Sequence, residues 1–254
     1  MRYFLELSYN GANYHGWQIQ PNSISIQSVL DAALSTLCAA PTFSLGCGRT
    51  DAGVHAKQFY AHFDTDKALN EDHIVNLNGM LPYDIAIKKI IQVHDDAHAR
   101  FDASLRSYEY HMHFKKDPFL KHLSYYYQYK RSFNIDLMNE CAAYLLSQND
   151  FASFCKSNSN ANTTFCKITE AKWVKPDEHS MVFHISADRF LRNMVRAIVG
   201  TLIDVGVGKI SAEDFKNIVA NKNRSDAGTS VPANGLYLTR VIYPFITENE
   251  HVKS

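Results

Sequence analysis

The segment Leu45–Lys57, LGCGRTDAGVHAK, places an arginine, an aspartate and a histidine among glycines and alanines. Arg49 and Asp51 are two residues apart, and His55 follows four residues later. A carboxylate this close to a guanidinium stays ionised, which suits an anionic nucleophile or an electrostatic stabiliser better than a general acid. The small residues let a ligand approach the backbone closely. The segment is a candidate catalytic loop, although a surface ion pair between Arg49 and Asp51 explains the same spacing.

Histidines and cysteines carry weaker signals. We expect His55 to hold the loop through a hydrogen bond rather than to act in catalysis. His111 and His113 share one face of a predicted strand, and we expect no metal there. The five cysteines are an odd number and form no C-x-x-C pair, which favours reduced thiols over disulfides or zinc. No metal or other cofactor is predicted.

Two basic segments are candidate ligand contacts. In RFLRNMVRAIVG the apolar residues recur at helical spacing, which predicts a helix over 190–204 with Arg189, Arg192 and Arg196 on its opposite side. Arginines favour bidentate contacts with phosphate or carboxylate groups, but an ordinary solvated helix face explains the same pattern. In HARFDASLRSYEY, strand alternation places Arg106 and Tyr108 on one face of a predicted strand. This arrangement fits stacking on an exposed base, and it equally fits a half-buried aromatic strand.

Charge and hydropathy limit the classes of partner. Lys+Arg and Asp+Glu both number 26, so a chain-wide basic field is excluded and a nucleic acid would need a local patch. The longest apolar region, near 194–207, is interrupted by Arg196 and Asp204, so no membrane span is predicted. The first residues alternate like a strand and lack the apolar core of a signal peptide. We therefore expect a cytoplasmic protein.

Hydrophobic patterning predicts an α+β fold. The order strand, helix, strand, strand, helix, strand occurs twice, with extra short segments in the second half. This pattern predicts two similar β-α-β-β-α-β halves, each with an antiparallel sheet. We place an N-terminal domain that carries the aspartate loop at 1–103. A C-terminal domain that carries the tyrosine strand and the basic helix is placed at 104–254.

Six motifs together resemble the tRNA pseudouridine synthase A family along nearly the whole chain. They occur in the order and at the spacing of that family, and they are YNGANYHGWQIQ, GRTDAGVHA, HARFDASLRSYEY, DFASF, FLRNMVRAIVG and GLYL. The resemblance implies an isomerase that converts uridine to pseudouridine in the anticodon arm of tRNA, at tRNA positions 38–40, without a metal or organic cofactor. It also implies an α+β fold in which the antiparallel sheets of the two halves join, with helices packed on them and the active site in the cleft between the halves. Members of the family are homodimers with the tRNA lying across both subunits, and the resemblance implies the same here.

The same resemblance assigns four site residues. The essential aspartate of the family, the catalytic nucleophile in this interpretation, corresponds to Asp51, and the arginine of the same motif to Arg49. The tyrosine that packs on the target base corresponds to Tyr108. The arginine that is similar to the partner of the catalytic carboxylate corresponds to Arg196.

The sequence departs from the family pattern at two positions. Cys166 stands where the family often has an arginine, which puts one secondary RNA or structural contact in doubt, and Val231 stands where alanine is usual.

Two other functions are alternatives to the synthase. A non-catalytic tRNA-binding protein on the same scaffold is one alternative. A small-molecule enzyme with an anion-binding loop is the other, and it fits the zero net charge but not the combined motifs.

Overall fold

The chain forms two compact units in a computed structural model that describes residues 1–129, 132–156 and 162–246. The first unit comprises Met1–Leu105 and the described residues from Leu238 onward. The second comprises Arg106–Tyr237. Each unit has its own helices and its own antiparallel strands.

The elements of the first unit are β1 (Arg2–Tyr9), α1 (Ile26–Cys38), β2 (Leu45–Gly46), β3 (His55–Asp64), α2 (Asp72–Met80) and β4 (Ile85–Val93). β1 is the central strand and pairs antiparallel with β3 on one side and with β4 on the other. The short β2 pairs with β3. Because β1 is covered on both faces, its side chains are almost all buried and do not show the alternation of a half-exposed strand.

The start of α1 and its buried face both follow from the local sequence. Ser25 accepts a hydrogen bond from the Ser28 amide, and the Ser28 side chain accepts one from the Ser25 amide, both at 3.1 Å. This capping box satisfies two backbone donors that a helix start leaves open. Apolar residues at helical spacing, Leu30 and Leu34 among them, form the buried face. The helix predicted from the cap and the apolar stripe is confirmed.

The elements of the second unit are β5 (Leu105–His113), β6 (Tyr125–Tyr126), α3 (Ile135–Tyr144), β7 (Ile168–Asp177), β8 (Ser180–Ala187), α4 (Met194–Gly206) and α5 (Ala212–Asn221). The last strand, β9 (Leu236–Ile242), begins at the end of this unit. Three long strands pair in the order β5-β8-β7, with both pairs antiparallel, and the short β6 runs parallel to β5. The predicted α+β class with antiparallel strands is confirmed.

From Leu238 onward, β9 groups with the first unit, whereas the sequence-based division assigned everything after residue 103 to one domain. The Val241 amide donates to Oε1 of Gln58 at 2.9 Å, and the Ser104 amide donates to the Ile242 carbonyl at 2.9 Å. These bonds attach the returning chain to the first unit. Two functional domains divided at residue 103, the joining of the sheets and the cleft stay predictions.

The basic helix begins later than predicted. Asn193 has a φ of 66°, in the left-handed region, so the helical path cannot pass through it and α4 starts at Met194. Arg189 and Arg192 therefore lie before the helix, and of the three arginines only Arg196 is on it. The prediction that the three arginines share one face of this helix was wrong. Within the described ranges, no helix combines the length and the apolar composition needed to cross a bilayer.

β3 carries a buried histidine in the first unit. His62 is 3% exposed, and its Nδ1 accepts a hydrogen bond from the Ala99 amide at 3.1 Å. Burial, with the positive charges of His98 and Arg2, lowers the pKa of His62 to about 4, against the opposing effect of Asp64 and Asp102. An Nδ1 atom that accepts a hydrogen bond carries no proton. The fold therefore requires the neutral imidazole.

We predict that stability falls with acidification through His62. The unfolded pKa is 6.5 and the folded pKa about 4, so the contribution is complete above 6.5 and is lost as the pH falls toward 4. The loss is on the order of 3 kcal/mol. His62→Asn keeps an acceptor near Nδ1 but cannot titrate. Denaturant unfolding from about pH 7 to about pH 4 should show a steeper loss for the wild type than for His62→Asn. Equal losses would contradict the requirement for a neutral His62.

Candidate active site

The loop between β2 and β3, residues 47–54, carries Arg49 and Asp51 in the first unit. It leaves the strand pair where the Cys47 amide donates to the Tyr60 carbonyl at 2.7 Å. Arg49 is exposed and Asp51 is half-buried. The loop therefore presents an arginine and a partly shielded carboxylate within three residues, next to a rigid strand pair.

The segment from Tyr9 to Trp17, from the motif YNGANYHGW, forms a floor beneath this loop. The Trp17 amide donates to the Thr50 carbonyl at 3.2 Å, and the hydroxyls of Tyr9 and Thr50 share a hydrogen bond of 2.9 Å. On the other side of Asp51, the Gly53 amide donates to the Tyr14 carbonyl at 3.3 Å. Backbone bonds on both sides thus set the position of Asp51.

Glycines of the floor allow its backbone to touch the loop. A Cβ at Gly16 would lie 2.3 Å from the Thr50 carbonyl oxygen, and Gly16 has a φ of +86°. A Cβ at Gly11 would lie 2.0 Å from the Val54 carbonyl oxygen. No side chain fits at such distances, so both positions require glycine for close approach. The glycines in YNGANYHGW signalled this contact in the sequence, but not what they approach.

Within the loop segment itself, the glycines differ in role. Gly53 has a φ of +78°, which favours glycine, and a Cβ at Gly46 would lie 2.6 Å from the Trp17 ring. Gly48 has open space around the position of a Cβ. Close approach of a ligand is therefore not the reason for Gly46, which makes room for an indole ring.

His55 is buried and holds the floor through a hydrogen bond, whereas the sequence predicted a hydrogen bond that holds the loop itself. Its Nδ1 accepts a hydrogen bond from the Gly11 amide at 3.1 Å. Tyr14 ties the floor to the start of β4, since its hydroxyl donates to Oδ1 of Asp84 at 2.5 Å. Burial and this carboxylate raise the pKa of Tyr14, so the hydroxyl keeps its proton and stays a donor. Sequence reasoning missed Tyr9 and Tyr14 as supports of the loop.

Tyr108 lies in the second unit, on β5 opposite Ile185 of β8. It is half-buried, and Phe190 contacts its ring at 5.1 Å between centroids, with the two planes at 88°. Tyr110 is fully buried and donates its hydroxyl to the Pro232 carbonyl at 2.8 Å. Of the two tyrosines, only Tyr108 has a partly accessible ring.

Arg196 lies in the first turn of α4, also in the second unit. Its Nε donates to the Val231 carbonyl at 2.8 Å, and the Val231 amide donates back to the Arg196 carbonyl at 3.2 Å. A Cβ at Gly200 would lie 1.9 Å from the Thr229 carbonyl oxygen, so the segment around Thr229 and Val231 runs against the helix. Val231 contributes through its backbone, and these two bonds do not depend on whether valine or alanine is present.

The other departure, Cys166, is a buried thiol. Its amide donates to the Asn149 carbonyl at 2.9 Å, and burial raises the pKa of the thiol to about 12. The group is therefore neutral at physiological pH. The position supplies a small apolar side chain to the interior of the second unit, where an arginine would bring a charge.

The histidines of β5 have hydrogen-bond partners. Nε2 of His111 lies 2.9 Å from a carboxylate oxygen of Glu109, and Nδ1 of buried His113 lies 2.9 Å from the Ser124 hydroxyl. Burial lowers the pKa of His113. In the part of the chain that the structure describes, no three histidine, cysteine or carboxylate side chains cluster as for a metal ion.

Comparisons with known proteins agree along nearly the whole chain. A family model described as tRNA pseudouridine synthase matches residues 141–244. A protein of Bacteroides fragilis named tRNA pseudouridine synthase A is 50% identical over 245 residues, 96% of each chain. Its namesake from Porphyromonas gingivalis is 47% identical over 96% of this chain and 97% of its own. The namesake from Clostridium acetobutylicum is 39% identical over 94% of this chain and 98% of its own.

We predict that two glycine substitutions at the loop differ sharply in effect. Gly16→Ala places a methyl group against the Thr50 carbonyl at a positive φ, and should cost at least about 2 kcal/mol of unfolding free energy. Gly48→Ala meets open space and should change stability by less than about 1 kcal/mol. Thermal unfolding of both variants checks this, with the Gly16 variant lower by at least roughly 4 °C. Equal midpoints would contradict the close approach of Gly16 to Thr50.

Proposed function

The chain belongs to the tRNA pseudouridine synthase A family, and on that premise we propose that Asp51 is the catalytic residue of its reaction. The chain is an isomerase that converts uridine in tRNA to pseudouridine. The observation that supports the assignment of Asp51 is the backbone clamp around it. Bonds from Trp17 to Thr50 and from Gly53 to Tyr14 hold the residues on either side of this half-buried carboxylate.

An ionised carboxylate suits the chemistry of this isomerisation. The C–N bond between ribose and uracil breaks, and a C–C bond forms between the same sugar and the same base, so no atom is gained or lost overall. The detached base must be held until it re-bonds. We propose Asp51 as the nucleophile, adding to the ribose or to the base. Removal of a ribose proton by the same carboxylate is the alternative step.

Tyr108 is the proposed contact of the target base. A uridine must leave its stack before it can reach a carboxylate, which costs a few kcal/mol. Stacking on an aromatic ring returns about 1–3 kcal/mol of this cost. The edge contact with Phe190 limits how the Tyr108 ring can turn, so the ring is prepared for stacking before the base arrives.

The two arginines have different proposed roles. Arg49 is exposed, and we assign it to a phosphate near the target nucleotide, where a planar guanidinium binds two oxygens. Arg196 is the proposed partner of the Asp51 carboxylate, keeping it ionised. The bond from Nε of Arg196 to the Val231 carbonyl supports this role because it fixes the plane of the guanidinium.

The finer statements on substrate and assembly follow from the family resemblance. We propose that the modified uridines lie in the anticodon arm and that the active form is a homodimer with the tRNA across both subunits. We place the protein in the cytoplasm, where tRNA is modified. With a net charge of zero, affinity for tRNA must come from local groups of cations rather than from the whole surface.

We predict that Asp51→Asn abolishes pseudouridine formation while tRNA binding persists. The change removes the charge and keeps the shape, so turnover should fall at least about 1,000-fold. Pseudouridine mapping of the anticodon arm, with tRNA affinity measured on the same preparations, checks this. Asp66→Asn, at an exposed aspartate of the same unit, is the matched control and should behave as the wild type.

Two outcomes would contradict this proposal. An Asp51→Asn protein that keeps its turnover within about tenfold of the wild type would exclude Asp51 as the catalytic group. A wild-type protein that binds tRNA and forms no pseudouridine would instead indicate the non-catalytic binding protein.

A further inference from the structure

A column of rings in the first unit runs from the core to the surface. It begins at Phe4, which is fully buried on β1, and continues through His62, with ring centroids 5.9 Å apart. His98 follows at 4.6 Å and Phe101 at 4.3 Å. Phe101 is 73% exposed. The column therefore ends on an aromatic ring in contact with solvent.

The turn that carries this last ring is held at every backbone amide. Each N–H from Ala97 to Asp102 donates a hydrogen bond within the protein. In chain order, the acceptors are the His94 carbonyl, the Asp102 carboxylate, His62 Nδ1, His98 Nδ1 twice and the His98 carbonyl. Surface turns commonly leave such groups to water, so this turn is unusually constrained.

Carbonyl groups of the turn are anchored too. Nη1 of Arg2 donates to the Ala97 carbonyl at 3.0 Å, and the Tyr243 hydroxyl donates to the Ala99 carbonyl at 2.5 Å. Arg2 is itself fixed by two hydrogen bonds to Asp64, at 2.7 and 2.8 Å. The backbone beneath Phe101 is therefore rigid, and its ring loses little freedom when a ligand binds.

The exposed ring has polar and charged neighbours. The guanidinium carbon of Arg100, an exposed residue, lies 5.6 Å from the centroid of the Phe101 ring. His98 and Asp102 occupy the same turn. An apolar protein partner would bury a patch of several hydrophobic side chains, whereas here one flat ring stands beside a positive charge. A ring and a guanidinium together match the base and the phosphate of an unstacked nucleotide.

We propose that Phe101 and Arg100 form a nucleotide-binding platform, in which Phe101 stacks on an unpaired base of the tRNA and Arg100 contacts a phosphate. The proposal rests on tRNA as the substrate. It adds a base contact provided by a turn other than the loop of Asp51, so its role is binding rather than chemistry.

The test places a fluorescent ring at the platform. The chain has two tryptophans, Trp17 and Trp173, and both are 3% exposed or less. In Phe101→Trp the new indole is therefore the accessible one, and acrylamide quenching reports on it. The measurement uses the full chain with the additional change Asp51→Asn, and an unmodified tRNA transcript. We expect bound tRNA to reduce the quenching constant of the platform indole at least about threefold.

The matched control is Phe43→Trp in the same background. Phe43 is 72% exposed and lies in the same unit. Its indole should remain as accessible with tRNA as without it. Protection of both positions to the same extent, or of neither, would overturn the platform. Protection of the platform indole that rises with protein concentration in the absence of tRNA would assign the ring to a second copy of the chain and overturn the proposal.

Affinity gives a second measurement of the same contact. Phe101→Ala should weaken tRNA binding roughly 10-fold, while Phe101→Tyr, which keeps a ring, should stay within about twofold. Equal affinities for Phe101→Ala and the wild type would overturn the proposal. Pseudouridine formation by the wild type is assayed separately: a wild type that forms none contradicts the proposed function, whereas absence of protection at the platform indole, with an active wild type, contradicts the platform alone.

Discussion

The Thr50 carbonyl occupies the space that a side chain at residue 16 would need, and the candidate active site depends on that contact. A Cβ there would come within 2.3 Å of the oxygen, so only glycine lets the two segments meet. Once they meet, the Trp17 amide bonds Thr50 and the Tyr14 carbonyl bonds Gly53. The carboxylate of Asp51 is thus placed by backbone bonds on both sides.

Neutral imidazoles provide a second recurring constraint. His55, His62 and His98 all use Nδ1 to accept hydrogen bonds from backbone amides. The first holds the floor of the aspartate loop, and the other two hold the turn that carries Phe101. An imidazole can accept in this way only while Nδ1 is unprotonated. Burial lowers the pKa of both His62 and His98, which keeps the turn intact at neutral pH.

Local signals in the sequence predicted much of the fold. The capping serine and the apolar stripe predicted α1 to the residue, and the order of strands and helices predicted the antiparallel pairing. The start of α4 was missed because a left-handed Asn193 interrupts a pattern that continues through it. Alternation could not separate Tyr108 from Tyr110 either, since only tertiary packing buries one ring and leaves the other partly accessible.

The sequence predicted only part of the candidate site, again because local patterns do not show tertiary contacts. Spacing drew attention to Arg49 and Asp51, and the family resemblance added Tyr108 and Arg196. The supports could not be found in this way, because Tyr14 and Gly16 act through backbone contacts with residues more than thirty positions away. A glycine pattern indicates that something approaches closely without showing what approaches.

The central claim is that the floor positions Asp51. It is tested most directly by single-turnover pseudouridine formation in His55→Leu and His55→Asn, with tRNA affinity measured in parallel. Leucine removes the acceptor of the Gly11 amide, whereas asparagine keeps one. If the floor positions Asp51, the leucine variant should react up to about 100-fold more slowly with unchanged tRNA affinity, and the asparagine variant should stay close to the wild type. An unchanged rate in His55→Leu would contradict the account.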